Sequence, residues 1–141
     1  YSELRARYNT HFGRPADADL PIFVSNTYDA AMLSALAVHH AGGTSDRAAS
    51  RDGLWAVTGT TPEHQAFGPV DYADALAALA RGEKIHYKGA SSQIIFDERG
   101  TVSNPAIIWK VENDAFTIVE RYSEEDIEAL LKAADMVHSC P

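Results

Sequence analysis

One stretch limits what this chain can fold into more than any other: Tyr87-Lys88-Gly89-Ala90-Ser91-Ser92-Gln93-Ile94-Ile95-Phe96-Asp97-Glu98-Arg99-Gly100. It reads as a Gly/Ser turn, then an apolar run too short for a helix, then an acidic turn closed by glycine. Ile85-His86-Tyr87 and Ile94-Ile95-Phe96 are therefore expected to be strands on either side of the Gly89-Ala90-Ser91-Ser92 turn. Upstream, Asn26-Thr27-Tyr28-Asp29-Ala30-Ala31 opens an apolar helix. Downstream, residues 106–111 and 115–119 are apolar runs facing each other across the polar Glu112-Asn113-Asp114, which predicts a hairpin. Pro105 suits the first position of its leading strand.

The remaining segments fill in a helix-rich frame. Residues 1–12 read as a helix with Leu4, Tyr8 and Phe12 on one face, stopped by Gly13 and followed by Pro15. Leu20-Pro21-Ile22-Phe23-Val24 is expected to be a buried strand or a crossing segment. Ser25, Asn26 or Thr27 then caps a long helix that is apolar nearly all round, predicting deep packing, and Gly42-Gly43 ends it. A further helix starts near Thr44 or Ser45, with Asp46 in its first turn against the helix dipole. It carries Ala49, Leu54, Trp55 and Val57. Residues 60–69 read as irregular. Asp71 or Tyr72 begins a helix with Tyr72, Ala75, Leu76, Leu79 and Ala80 at helical spacing, ended by Gly82. Ser123 and Asp126 form a capping box for a last helix carrying Ile127, Leu130, Leu131 and Ala134. Helices and strands alternate, so the fold class is α/β.

The composition excludes some partners. The formal charge is −8, from 20 acidic against 12 basic residues. With no basic stripe, the chain repels polyanions, and nucleic acid is not an expected partner. No apolar run approaches the ~20 residues that span a bilayer. The chain opens on Tyr1, without Met or a leader, as though cut from something upstream. Its one cysteine, Cys140, cannot form an internal disulfide, so it is a free tail thiol or pairs with another chain or an upstream segment.

Catalytic and metal chemistry find little support in the pattern. His39 and His40 are adjacent, about 100° apart around a helix, and cannot share a tetrahedral ion as an i, i+4 pair would. No serine stands in a nucleophile elbow, and Cys140 sits in a tail that is hard to hold rigid. Gly89-Ala90-Ser91-Ser92 leads into a strand, not into the helix that a phosphate cradle needs. Asp97 and Glu98 are too few for a calcium loop. Asp29 is accounted for by the dipole of the helix it opens. What remains is a mouth between a strand and a helix N-terminus, where Ser25, Asn26 and Tyr28 are candidate ligand-binding residues for a polar small molecule.

The order of motifs resembles the C-terminal part of the Leu/Ile/Val-binding family of periplasmic solute receptors, the branched-chain amino acid ABC transporter substrate-binding family. The likeness is carried by Tyr8 to Phe12-Gly13-Arg14-Pro15, by Tyr28-Asp29-Ala30, by Ala41-Gly42-Gly43, and by Leu54-Trp55-Ala56-Val57. It continues through Gly82, Ile85, Tyr87, Gly89-Ala90-Ser91, Ile94 to Gly100 and Ile107 to Val111. Two turn positions depart from the pattern: Ser92 stands where a second glycine is common, and Thr101 where an acid often follows. Nothing here corresponds to the N-terminal part of the family, which supplies the groups that bind an amino acid's carboxylate.

The resemblance implies a two-lobed type I periplasmic-binding fold with Rossmann-like lobes. Residues 1–20 would be a second-lobe segment, 21–103 a first-lobe segment, and 104–141 the return segment and terminal helix. It implies an extracytoplasmic solute-binding component of an ABC importer, present here as a fragment. Its partners would be an amino acid, amide or similar polar ligand, the missing N-terminal portion of the receptor, and a membrane permease. No cofactor and no catalytic step are implied. In relatives the position of Ser25 can reach the ligand, and a small polar residue there leaves room for a bulkier or more polar one. Two other readings stay open: a ligand-sensing domain of a signalling protein, and an independent small α/β enzyme.

Overall fold

A computed structural model describes residues 1–97, 100–102 and 104–138, and of residues 134–138 the backbone only. Glu98, Arg99 and Cys140, named above in the acidic turn and the tail, lie outside the described residues. The chain divides into two compact units, the first Tyr1–Gly100 and the second beginning at Thr101. The class is mixed α/β with small sheets.

In the first unit, α1 (Ser2–His11) ends where Gly13 takes a left-handed backbone, φ 61°. Arg14 N–H returns to the Asn9 carbonyl at 2.8 Å and Gly13 N–H to Thr10 at 3.3 Å, closing the helix as a glycine-terminated end should. Of its expected face only Leu4 is buried. Phe12 is exposed and lies against Tyr8, with ring centroids 4.5 Å apart.

Residues 20–24 do not form the expected strand. Pro21 has no N–H to give to a ladder, Ile22 and Phe23 lie in a turn, and Phe23 adopts φ 69° at the start of α2 (Val24–His40). The helix thus begins ahead of Ser25, Asn26 and Thr27, and no side chain caps it. Nor is α2 buried all round. Asp29, Leu33, Leu36 and Ala37 form one buried stripe, while Ala30, Ala31, Ser34 and Ala35 face solvent.

Helix α3 (Arg47–Ala56) is capped by Asp46, one position outside the helix, whose carboxylate accepts the Ala49 N–H at 3.0 Å. It packs on α2 at Gly53. A Cβ there would come within 2.6 Å of the Ala37 carbonyl oxygen, so only glycine permits this approach.

Inside the segment expected to be irregular lies a strand, β1 (Gln65–Phe67), paired in parallel with β2 (Ile85–Tyr87). The crossover is α4 (Tyr72–Ala80), with Asp71 before it accepting the Gly68 N–H at 2.9 Å. This is a small β-α-β unit, the connection that parallel strands require. Its buried helix positions are Ala75 and Ala78, and every residue of β2 is buried. On its other edge β2 meets Thr58, through an antiparallel bridge to His86. Ile94-Ile95-Phe96 is not a strand. The chain there makes a single bridge, Lys88 to Gln93, and then runs on irregularly with Ile94 buried and Ile95 exposed.

The second unit holds the expected hairpin, β3 (Ala106–Glu112) and β4 (Ala115–Tyr122), antiparallel with a register shift at Ile108/Trp109. Its turn is Asn113-Asp114, both at positive φ (52° and 58°), which matches the twist of a two-residue hairpin loop. Trp109 and Phe116 meet edge-on at 4.8 Å. Helix α5 (Glu124–His138) starts with the capping box read from the sequence. Ser123 N–H and hydroxyl donate to the Asp126 carboxylate at 2.8 and 2.7 Å, and Asp126 N–H donates back at 3.2 Å.

Candidate functional site

Asp29 was explained above by the dipole at the start of its helix. The structure gives its side chain a different task. It lies on the buried stripe of α2, at 2% exposure, and receives donors from a segment about sixty residues away. One carboxylate oxygen accepts the Tyr87 hydroxyl at 2.9 Å and the Ala90 N–H at 2.8 Å. The other accepts the Ser91 N–H at 2.8 Å and the Ser91 hydroxyl at 2.6 Å. All four partners donate, the pattern an ionised carboxylate satisfies. Successive amides of a turn converging on one anion form a backbone nest, here filled from within the chain.

Gly89 belongs to the same construction. A Cβ on it would lie 2.6 Å from the Ser92 carbonyl oxygen, 2.7 Å from an Asp29 oxygen and 2.8 Å from Ile94. The turn therefore closes on Asp29 only because residue 89 has no side chain. Tyr87 is fully enclosed, and burial, reinforced by the Asp29 charge, pushes its phenol far above the ordinary tyrosine range. Four donors on one carboxylate make this cluster a joint between α2 and the turn that follows β2.

Of the three candidate ligand residues, Ser25 and Asn26 lie one turn ahead of that joint and Tyr28 stands next to it. Ser25 is half-buried and Asn26 is exposed, both in the first turn of α2. Tyr28 is half-buried, and its hydroxyl donates to the Pro69 carbonyl at 2.5 Å. That bond ties α2 to the loop leading into α4. Burial raises the Tyr28 phenol above its usual value, Arg7 opposes this, and Asp29 adds to it. The structure thus keeps Ser25, Asn26 and Tyr28 on one helix turn, but commits the Tyr28 hydroxyl to the backbone.

One clue to Asp29 was present in the sequence. It stands four, seven and eight residues before Leu33, Leu36 and Ala37, on the apolar face, where a lone acid needs buried partners. Those partners are distant along the chain, so the clue has no local completion.

Other polar groups offer less. His39 and His40 are exposed at the end of α2, and His39 borders a shallow groove that Val38, Tyr72 and Leu76 also line. Among the described residues, no three or more His, Cys, Asp or Glu side chains are placed to hold a metal ion. No described helix is long and apolar enough to cross a membrane. No protein-family model matches the chain, and no match was found among curated proteins or solved structures.

Proposed function

We propose that the chain is the C-terminal portion of an extracytoplasmic solute-binding receptor with a two-lobed type I periplasmic-binding fold, serving an importer of amino acids, amides or similar small polar molecules. One observation carries this reading. Two of the segments that carry the resemblance, Tyr28-Asp29-Ala30 and Tyr87 with Gly89-Ala90-Ser91, are joined in space by the four hydrogen bonds on Asp29. Two segments far apart along the chain are here the halves of one contact. The β-α-β unit beside them is the kind of element from which such lobes are built.

On this reading, function is binding. Fixed hydrogen bonds and charges in a cleft hold the ligand, and hinge closure excludes water. Ser25 and Asn26 contribute to the wall of the cleft, with the rest supplied by the N-terminal portion and the second lobe. A membrane permease receives the cargo.

The test is calorimetry with a panel of amino acids and amides, on this chain alone and on the full-length receptor. The chain alone has negligible affinity, and in the complete receptor Ser25→Trp weakens the best ligand at least about tenfold, or ~1.4 kcal/mol. Tight amino-acid binding by the chain alone, or an unchanged affinity in Ser25→Trp, overturns the reading.

A further inference from the structure

Helix α2 begins in an unusual way. Its N-cap residue, Phe23, is a bulky aromatic at φ 69°, a left-handed conformation that such residues rarely take, and no side chain caps the first turn. The local bonds that start the helix are Val24 N–H to the Pro21 carbonyl at 3.2 Å and Thr27 N–H to the Phe23 carbonyl at 2.9 Å. A helix start without a side-chain cap leaves its first amides short of partners, so bonds that reach out of the helix near that end carry added weight.

Two neighbouring side chains make such bonds, in different directions. Tyr28 donates to the carbonyl of the buried Pro69, and Asp29 accepts from Tyr87, Ala90 and Ser91. Adjacent helical residues point about 100° apart, so the two anchors resist both rotation and lift of the turn. We propose that Tyr28 and Asp29 are positioning residues: a two-point tether that fixes the N-terminal end of α2, and with it Ser25 and Asn26. Tyr28 then acts on a ligand through the backbone it holds, and the side-chain contacts fall to Ser25 and Asn26. That consequence for binding rests on the receptor reading; the tether does not.

Amide hydrogen exchange followed by NMR on the full chain tests the tether without any ligand. Tyr28→Phe keeps the ring and removes only the hydroxyl, so exchange at Val24 and Thr27 should speed up about fivefold, the effect of one lost hydrogen bond. The Gly82 amide, bonded to Leu79 at the far end of α4, keeps its rate. Ser34→Ala is the control, since it deletes the exposed Ser34 hydroxyl bond to Ala30 within the same helix. Unchanged exchange at Val24 and Thr27 in Tyr28→Phe overturns the proposal, as does equal acceleration in Ser34→Ala. Either result leaves the receptor reading standing, and a failed ligand screen leaves the exchange result standing.

Discussion

Asp29→Asn is the substitution whose cost follows most directly from the geometry. It keeps the shape of the side chain and replaces one acceptor oxygen with an NH2 donor. The two hydroxyls, Tyr87 and Ser91, can turn round and accept from that group. The two amides cannot. One carboxylate oxygen faces the Ala90 N–H and the other faces the Ser91 N–H, so either flip of the new amide sets its NH2 against a backbone donor. A buried donor left unsatisfied costs ~1–3 kcal/mol, and the surviving bonds lose their charge assistance. Removing a carboxylate from a buried site returns part of that. A net loss of about 2 kcal/mol, at a urea slope of ~2 kcal/mol/M, lowers the unfolding midpoint by ~1 M. The chain has two tryptophans. With Trp109 replaced by Phe, Trp55 fluorescence reports the first unit alone. A midpoint in Asp29→Asn equal to or above that of the same background with Asp29 intact would refute the argument, because some rearrangement must then satisfy both amides.

Two further outcomes follow from the same joint. Gly89→Ala forces a methyl group to within 2.6–2.8 Å of the Ser92 carbonyl, Asp29 and Ile94, and should cost ~1–3 kcal/mol in the same urea assay; a neutral effect would mean the turn is not closed on Asp29. Because the folded Tyr87 phenol titrates far above its unfolded value of ~10, its contribution is complete below that pH. It is lost as the pH rises further, where only the unfolded chain ionises. Urea midpoints measured at about pH 9 and about pH 11 should therefore fall further in the wild type than in Tyr87→Phe, and equal falls would contradict the assigned environment.

What could be read from the sequence was what is decided locally. Gly13 and Gly82 end helices because the closing residue needs a left-handed backbone, and that demand is written into one residue. Ser123 and Asp126 cap α5 with partners three positions apart. Asn113-Asp114 supplies the hairpin turn by its own conformational preference. The failures are the segments decided from afar. Gln65–Phe67 is a strand because β2 runs beside it, with nothing in three mostly exposed residues to announce it. Ile94-Ile95-Phe96 has strand composition but no partner strand among the described residues, and composition without a ladder leaves irregular chain. The run from Leu20 to Val24 is apolar, but Pro21 and the turn at Phe23 spoil it for pairing.

Asp29 joins these two kinds of information. Its neighbours along the chain make it look like an ordinary helix-opening acid, but α2 starts at Val24 and leaves Asp29 beyond the first turn, where the dipole effect has faded. Its position on the stripe with Leu33, Leu36 and Ala37 makes the dipole explanation incomplete, since a carboxylate buried there must find donors or cost several kcal/mol. The segment that meets the demand places two consecutive amides, a serine hydroxyl and a tyrosine hydroxyl at one point, and that requires a glycine at 89 to let the turn approach. Each end therefore specifies the other: the acid explains the Gly-Ala-Ser turn, and the turn explains the acid. Substituting either end alone leaves unsatisfied groups at the other, so Asp29 and residues 89–91 should behave energetically as one unit, with losses that do not add when both are changed.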